Sequence, residues 1–404
     1  MFGTTIGSTM GHVQGHVPGK KKDLTYQNKE TTPVTPKLRA QNYVADYGGC
    51  GHWRMMWPSQ MINAYQHGIV HSSSKMITDA QFYKGLSSVR VQRQVSVDQR
   101  NFFNFLKKVS SQNKMHLIYD IDDVFIYEDI PGYNKFKSAY KDPILKENGL
   151  SIMKECDEVT VTCNYMKQYY NQWMDNVTVI PNYMPRHWLD RFYNEEKLSK
   201  NYTLNIKKRK KPRVLYAASG AHFDIESRNK NQDDFSHIAD VVRRTCNEIQ
   251  WVFVGGYPPT MKDLLTSGKL EFHPWTWIPD YPKMIYDLNV NLTIAPLMDN
   301  TFNRCKSDLK FIEAGAFGLP CICQDMVTYT HAIHKFKTGD ELIDNIRSVL
   351  IDKSVYLKAC RKAREYADTR WLEDHIGKYV ELYRRPRGDE RRKRLNLLQK
   401  ENTI

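Results

Sequence analysis

The residues of this chain best suited to chemistry lie in the segment 306–313. Lys306 and Lys310 are four residues apart and Glu313 follows three residues later, so in a helix they would share one face. Ser307 can cap the N-terminus of that helix. Lysines beside a helix N-terminus bind a diphosphate, and a glutamate two turns on can accept hydrogen bonds from a ribose diol. The segment therefore predicts a site for a nucleotide-sugar donor.

A second polar group, containing Ser219, Gly220, His222 and Asp224, follows the first predicted strand of the second half of the chain. Backbone N–H groups in such a loop can face a diphosphate. His222 can donate a hydrogen bond to a phosphate or sugar oxygen, and Asp224 can orient the imidazole. A lone histidine in a loop is usually structural, but this one lies where ligands bind. Arg228, just beyond, is a candidate phosphate contact.

Two further groups lie in the first half. Gly49 and Gly51 form a Gly-rich turn that lets the backbone approach the donor phosphate or the acceptor closely, and Arg54 can assist there.

Three aspartates, Asp120, Asp122 and Asp123, cluster where a predicted strand ends. At the carboxyl end of a strand they can deprotonate or orient an acceptor hydroxyl group. They can equally cap a helix or hold a turn, and both interpretations stay open.

The elements that must position these groups alternate between strands and helices. In the first half, strands are predicted at 43–47, 74–78, 89–92, 116–120, 158–162 and 177–180. A second series of strands begins at 213, after a basic run at 207–213 that is interpreted as an interdomain linker. Strands alternating with helices indicate parallel sheets, with ligands at the carboxyl ends of the strands. The sequence therefore predicts an α/β protein of two facing Rossmann-like domains with a deep cleft between them.

Four parts are expected along the chain. Residues 1–40 form a flexible or extended arm, and 41–205 form an N-terminal Rossmann-like domain for the acceptor. Residues 206–370 form a C-terminal Rossmann-like domain for the nucleotide sugar. Residues 371–404 form a helix and a basic tail that pack back on the N-terminal domain.

The net charge of +14 is concentrated in two segments. The run 207–213 has six basic residues and no acidic one, and the segment 384–394 has seven basic and two acidic residues. Both can be solvated flexible runs, or they can bind a polyanion such as DNA or an anionic membrane surface. The eight cysteines lack metal-ligand spacing and are predicted to be reduced thiols.

Five segments, taken in order over residues 43–383, resemble the retaining glycosyltransferases of the two-Rossmann-domain type (the GT-B fold, family-four-like), which have bacterial and phage members. The segments are 49–54 with Pro58, 119–123, 179–182, 218–224 and 295–313. The resemblance implies that Glu313 binds the donor ribose, while Lys306 and Lys310 meet the charge of the leaving diphosphate. A solvated helix lysine at 310 and a helix-surface acid at 313 remain the alternatives.

The resemblance also concerns the sugar and the reaction. The group often has a sugar-contacting acid eight residues before the ribose-binding glutamate, and Cys305 stands there in this chain, so the sugar stays unassigned. The resemblance implies retention, with the leaving phosphate helping to deprotonate the acceptor. A UDP-type sugar is the expected donor substrate. We expect no tightly bound cofactor and no essential metal ion, because lysines and helix dipoles stabilise the diphosphate.

The leading acceptor is hydroxymethylated or hydroxylated cytosine in phage double-stranded DNA, since T-even-type phages use two-Rossmann enzymes for this modification. The basic run is expected beside the cleft, and tryptophans near the motifs can stack on an extruded base: Trp53, Trp57, Trp275 and Trp277. One alternative acceptor is a cell-surface polysaccharide or lipid-linked glycan. An alternative of another class is a catalytically inactive DNA-binding protein.

The expected location follows from hydropathy. No apolar run approaches the roughly 18–20 residues that span a membrane, and the first residues lack an apolar signal core. We expect a soluble cytoplasmic protein, in the host cytoplasm if the protein belongs to a phage. The sequence does not indicate an oligomeric state.

Overall fold

The computed structural model describes residues 38–225 and 232–388, and the strands within them form two parallel six-stranded sheets. The first sheet has the strand order β2-β1-β3-β4-β5-β6. Its strands are β1 (Leu38–Tyr43), β2 (Gly68–Ser73), β3 (Ser88–Gln92), β4 (His116–Asp120), β5 (Glu158–Val161) and β6 (Val177–Val179). The second sheet has the order β12-β11-β10-β7-β8-β9. Its strands are β7 (Arg213–Ala217), β8 (Gln250–Val254), β9 (Leu270–His273), β10 (Leu292–Ala295), β11 (Cys321–Gln324) and β12 (His334–Phe336).

Helices connect the strands and cover the sheets. Those of the first half are α1 (Gly49–Gly51), which continues through a π-helical turn at His52–Met56 into α2 (Trp57–Ala64), then α3 (Val97–Asn113), α4 (Pro143–Glu155), α5 (Asn164–Asn171), α6 (Arg186–Leu189) and α7 (Glu195–Tyr202). Those of the second half are α8 (Ala239–Thr245), α9 (Lys262–Thr266), α10 (Tyr281–Asp287), α11 (Thr301–Arg304), α12 (Leu309–Ala316), α13 (Gly339–Val349), α14 (Lys353–Asp368) and α15 (Leu372–Arg384).

The predicted α/β fold with two facing Rossmann-like domains is confirmed by these two sheets. Central strands such as β4 and β8 are almost entirely buried, as expected where helices cover both faces of a parallel sheet. Loops at the carboxyl ends of both sheets line a common cleft between the domains.

The first two strands lie earlier in the chain than predicted. β1 covers Leu38–Tyr43 instead of 43–47, and β2 covers Gly68–Ser73 instead of 74–78. β1 carries buried polar residues that hydropathy cannot distinguish from a loop. Among them, Asn42 donates to Ser59 Oγ at 2.8 Å and accepts from the Tyr383 hydroxyl at 2.9 Å. β1 also begins inside the predicted arm 1–40, of which residues 1–37 lie outside the described ranges.

The basic run 207–213 is not the connection between the domains, so that interpretation was wrong. Helix α7 already packs against α14, and its Leu198 and Tyr202 belong to the core under the second sheet. The run then leads into the amino end of β7, whereas the cleft lies at the carboxyl end of the same strand. The expectation that this run borders the cleft is wrong for the same reason.

The chain crosses between the two halves at two adjacent places. The backbone N–H of Met184 donates to Arg370 O at 2.9 Å, and that of Leu372 donates to Met184 O at 2.8 Å. Helix α15 then packs against α2, β1 and β3 of the first half. Beyond it, Arg385 pairs with Glu158, and residues 389–404 of the predicted basic tail lie outside the described ranges.

Two properties of the described residues bear on the expectations above. No helix within 38–225 or 232–388 is both long enough and apolar enough to cross a membrane. All eight cysteines are free thiols, six of them buried.

Candidate active site in the interdomain cleft

A cavity of about 290 Å³ lies between the domains and is lined by residues of both. The second domain contributes most of the predicted donor-site residues, namely Ser219, His222, Lys306, Ser307, Lys310 and Glu313. The first domain contributes Gly49, Cys50, Trp53, Asp122, Asp123 and Asn182. Residues that are far apart in the sequence therefore meet around one space.

Ser307 reaches the cleft without capping the helix. The N-cap position of α12 belongs to Asp308, whose carboxylate pairs with Arg370 at 2.7 Å and makes no capping hydrogen bond. The Ser307 hydroxyl instead accepts a hydrogen bond from Asn182 Nδ2 of the first domain at 3.0 Å. The predicted capping role of Ser307 is wrong, and its hydroxyl joins the two walls of the cleft.

Lys310 is anchored inside the cleft wall. Its Nζ donates to Ala217 O at 2.5 Å and lies 5.1 Å from the centre of the Tyr216 ring. Burial lowers the pKa of Lys310 to about 8, because the charged form loses contact with water. A solvated helix lysine would show none of these contacts, so that alternative is excluded.

Glu313 lies one turn further along α12 and also faces the cleft. Burial raises the pKa of its carboxyl group to about 7, although Lys310 and a hydrogen bond with Tyr281 oppose the shift. The alternative of a helix-surface acid is therefore excluded as well. A carboxyl group poised between its two protonation states can accept or donate hydrogen bonds toward a diol.

Lys306 provides a second positive charge at the same wall. Its Nζ lies 4.6 Å from the centre of the Phe302 ring. Within residues 38–225 and 232–388, no carboxylate oxygen lies within 4.0 Å of Lys306 Nζ. Across the cleft, burial raises the pKa of the Asp123 carboxyl group, and the charge of Lys306 opposes this rise. Lys306 is thus a cation held near the cavity without an ion-pair partner in the described chain.

His222 is oriented by Asp234 instead of by Asp224. His222 Nδ1 lies 2.7 Å from Asp234 Oδ2, whereas Asp224 is buried and its backbone N–H donates to Asp233 Oδ2 at 2.9 Å. The predicted role of Asp224 is wrong because the carboxylate that pairs with the imidazole is that of Asp234. Burial, followed by the charge of Lys310, lowers the pKa of His222 to about 4, so its imidazole is neutral at physiological pH.

The other members of the 219–228 group divide between the cleft and its surroundings. Ser219 lines the cavity, and its hydroxyl accepts from the Ala221 N–H at 3.3 Å. Gly220 lies outside the lining, and a Cβ there would come within 2.8 Å of Ile225 Cδ1. Arg228 lies outside the described ranges.

The two glycines of the first domain serve different purposes. Gly49 lines the cavity, and a Cβ built on it would meet no atom within 4 Å. A Cβ on Gly51 would lie 1.8 Å from Asp46 O. Gly51 therefore permits a close approach of two backbone segments, and its predicted contact with a ligand is wrong.

Arg54 and Asp120 are buried in the protein and do not line the cleft. Both side chains have 0% exposure, and Arg54 Nη2 lies 2.9 Å from Asp120 Oδ1. Arg90 pairs with the same carboxylate, and Thr160 donates to it at 2.6 Å. Burial alone would raise the pKa of Asp120, but the two arginines hold it below its ordinary value. The predicted roles of Arg54 in ligand binding and of Asp120 toward the acceptor are wrong.

Asp122 and Asp123 do reach the cavity. Asp122 Oδ1 is buried without a hydrogen-bond partner, and Asp122 interacts with the Cys50 thiol. Burial raises the pKa of Asp123, while Lys306 opposes the shift. These are the first-domain carboxylates that line the cavity within the described residues.

Comparisons with known proteins agree with this architecture. HepE from Anabaena, solved with UDP and glucose, superposes with a TM-score of 0.56 at 10% identity, over 86% of this chain and 98% of HepE. The glycosyltransferase WaaG, involved in lipopolysaccharide biosynthesis, gives a TM-score of 0.51 at 12% identity, over 86% of this chain and 99% of WaaG. No protein-family model matches the chain, and no curated protein sequence matches it significantly. At such low identity the likeness establishes the shared fold.

Cys305, at the position where the resembled group often has an acid, does not reach the cavity. It is fully buried with Phe302 in the core of the first domain, and its carbonyl oxygen accepts from Cys163 Sγ at 3.4 Å. Within the described residues, no group of three or more His, Cys, Asp or Glu side chains is arranged to hold a metal ion.

The four tryptophans predicted to stack on a base occupy different environments. Trp57 is buried against Trp53 and Trp188, so stacking of a base on Trp57 is excluded. Trp53 is also buried but lines the cavity. Trp275 and Trp277, in the loop after β9, are 52% and 79% exposed.

Two polar contacts of the site, made by Asp234 and by Tyr281, have no counterpart in the sequence patterns. Asp234 follows an adjacent aspartate within a loop, and no spacing pattern marks it as the partner of His222. Tyr281 opens α10 and interacts with Glu313, 32 positions along the chain. Nothing in the local sequence signals either contact, because each depends on how the loops fold.

Proposed function

We propose that this protein transfers a sugar from a UDP-type nucleotide sugar to a hydroxyl group of an acceptor held in the interdomain cleft. The observation that carries the proposal is the convergence of two lysines and a glutamate from one helix region with His222 around a single cavity. Breaking the bond between a sugar and a diphosphate develops negative charge on the leaving group, and fixed cations stabilise that charge.

In this proposal, the diphosphate, the ribose and the base of the donor lie in that order along the second-domain wall. Lys306 and Lys310 supply positive charge for the diphosphate, and Glu313 lies beyond them for the ribose hydroxyl groups. Trp275 and Tyr281 stack with ring centres 5.7 Å apart and provide an aromatic surface at that end of the cavity for the base. The sugar then lies toward the first domain, near Asp122 and Asp123.

On the acceptor side, we propose that Asp122 and Asp123 bind and orient the acceptor hydroxyl group. Because the pKa of Asp123 is raised, its carboxylate takes up a proton more readily than that of an ordinary aspartate, which suits transient uptake of the acceptor proton. Retention of configuration, with the leaving phosphate assisting deprotonation, is proposed from the resemblance described above. Neither a tightly bound cofactor nor an essential metal ion is part of the proposal.

The proposed acceptor is hydroxymethylated or hydroxylated cytosine in double-stranded phage DNA. Its support is the net charge of +14 together with the exposed Trp277, which can stack on an extruded base. Contacts to phosphates would make transfer fall steeply with salt concentration. The basic run 207–213 no longer supports this acceptor, because it lies at the opposite end of β7 from the cleft.

A glycan at an anionic membrane surface is the second candidate acceptor, and one observation favours it. Lys207, Lys208, Arg209 and Lys210 are exposed. Lys207 of this run lies near Ile351, which is 71% exposed, since Lys207 interacts with the neighbouring Asp352. A basic run beside a protruding aliphatic side chain suits an anionic lipid surface.

The test begins with the donor. Nucleotide sugars are screened by hydrolysis and thermal shift, and the best donor is offered to hydroxymethylcytosine duplex and to a lipid-linked glycan fraction. Transfer to one of them identifies the acceptor. Tight DNA binding without hydrolysis or transfer from any donor would instead favour a catalytically inactive DNA-binding protein.

A point variant tests the donor site itself. Lys306→Ala is expected to lower transfer by about 100-fold or more while leaving the fold intact, because it removes a charge aimed at the leaving group. Lys200→Ala is the matched control, since Lys200 is a 73% exposed lysine on α7 paired with Glu196. Near-normal turnover in Lys306→Ala would remove this lysine from the site.

A further inference from the structure

One residue of the first domain reaches across to the His222 pair. Tyr133 lies in the loop between β4 and α4, is only 3% exposed, and donates its hydroxyl to Asp234 Oδ1 at 2.6 Å. Asp234 belongs to the loop between β7 and α8 of the second domain. The contact therefore joins the domains directly behind a residue that lines the cavity.

Asp234 is saturated with hydrogen-bond donors. Besides His222 Nδ1 and Tyr133, it accepts from Asn303 Nδ2 at 2.5 Å and from the Met298 N–H at 3.0 Å. An ionised carboxylate offers about four lone-pair sites. Four donors around a buried carboxylate keep it ionised and fix its orientation, and three of the four come from the second domain.

This arrangement determines which nitrogen of His222 carries the proton. A carboxylate that receives a hydrogen bond from Nδ1 fixes the hydrogen on Nδ1, so the neutral ring presents the Nε2 lone pair. Of the charged groups that act on the ring, Lys310 and Lys306 lower the pKa of His222, and Asp234 raises it. His222 is thus suited to accept a hydrogen bond from a sugar or acceptor hydroxyl, instead of donating one to phosphate as the sequence suggested.

We propose that Tyr133 is a positioning residue that completes the shell of Asp234 and thereby holds His222 with its Nε2 lone pair toward the cavity when the two domains are together. The proposal rests on the proposed sugar transfer. Because Tyr133 belongs to the first domain, its hydroxyl reaches Asp234 only when the walls of the cleft are assembled. Approach of the acceptor domain and orientation of His222 are therefore coupled.

Tyr133→Phe tests this coupling, with Tyr202→Phe as the matched control. Tyr202 is also a buried tyrosine and donates to a single acceptor, Leu350 O at 3.0 Å, under the second sheet. We expect Tyr133→Phe to lower the kcat of transfer about tenfold. UDP affinity should change little, because Lys306 and Lys310 remain in place on the second-domain wall of the cleft.

The pH profile provides a readout that a purely structural role would not change. With one donor fewer, the Asp234 carboxylate attracts the imidazolium more strongly, so the acidic limb of the kcat profile should move to higher pH in Tyr133→Phe. Tyr202→Phe should keep the wild-type limb. If both variants match the wild type in kcat and in this limb, the positioning role is wrong while the proposed transfer stands.

A spectroscopic measurement separates the two proposals. Long-range nitrogen–proton NMR correlation of labelled histidines, assigned with His222→Gln, reports the tautomer without any substrate. We expect the wild type to show a protonated Nδ1 and a bare Nε2 at neutral pH. A wild-type spectrum with Nε2–H overturns the inference, even if Tyr133→Phe does not fold. Absence of transfer from every donor, with this spectrum as expected, would reject the proposed function alone.

Discussion

The two walls of the cleft differ in how they are built. On the second-domain wall, the donor residues lie within one turn-and-helix segment, and Lys306, Lys310 and Glu313 reach the same cavity. On the first-domain wall, Asp122 lines the cavity while Asp120, two positions earlier, is buried in an ion-pair cluster. Spacing along one helix fixes which side chains share a face, whereas the end of a strand does not fix which carboxylate turns toward the ligand.

The largest expected effect concerns Asp120. Asp120→Ala leaves Arg54 and Arg90 buried without their counter-charge, which should lower the free energy of unfolding by about 3–5 kcal/mol. Asp122→Ala, two positions later on the cleft surface, should change stability by less than about 1 kcal/mol and mainly impair transfer. Urea unfolding of both variants measures the contrast.

A stably folded Asp120→Ala protein that has lost only transfer would contradict the assignment of Asp120 to a structural ion-pair cluster. It would return Asp120 to the acceptor site predicted from the sequence.

Gly49 and Gly51 of the first-domain wall show the same contrast between a residue that lines the cavity and one with a structural role, and the expected loss of stability is smaller. Gly51→Ala forces a methyl group against the Asp46 carbonyl and should lower the free energy of unfolding by about 1–3 kcal/mol. Gly49→Ala enters open space and should leave stability nearly unchanged while disturbing ligand binding. Thermal unfolding and UDP affinity, measured on both proteins, test the assignment. Equal stability of the two variants would contradict it.

The smallest expected effect is a change of UDP affinity with pH, caused by Lys310 in the second-domain wall of the cleft. The pKa of Lys310 is about 8, so the lysine is charged below this pH and loses its proton above it. UDP affinity should therefore fall as pH rises through about 8, by at most about tenfold per pH unit. Lys310→Arg keeps the charge and should remove this limb from a titration of affinity against pH.

Glu313 must be controlled in that experiment, because its pKa of about 7 adds a negative charge over a neighbouring range. The same titration in a Glu313→Gln background isolates the lysine. A limb that persists in Lys310→Arg with Glu313→Gln would assign it to another group.

The sequence predicts the fold better than it predicts the site. Buried strands such as β4 and β8 can be predicted from the sequence. A parallel strand that is covered on both faces has apolar residues along most of its length, without alternation with polar ones. β1 lies earlier than predicted because Gln41 and Asn42 are polar and yet buried. The hydrogen bonds of Asn42 are made to Ser59 and Tyr383, which only the tertiary fold brings near. The basic run was misread as a linker, because charge does not reveal that α7 packs on the second domain.

Within the site, the spacing of Lys306, Lys310 and Glu313 correctly indicates that they reach one cavity. Lys310 and Glu313 lie on the regular helix α12, and Lys306 lies just before its first residue. The partner of His222 was missed, because Asp224 and Asp234 are both plausible from sequence and only the path of an irregular loop selects one. Tyr133 was missed for a stronger reason, since it belongs to the other domain and no local pattern connects it to Asp234.

The paired crossings at Met184 and Leu372 carry a mechanical consequence. Because the two connecting segments are hydrogen-bonded to each other, they form one narrow joint instead of two independent tethers. Hinge residues are commonly a few positions in the segments that connect two domains. We therefore expect any relative motion of the two domains to be absorbed at Met184 and at residues 370–372, where both segments would have to bend together.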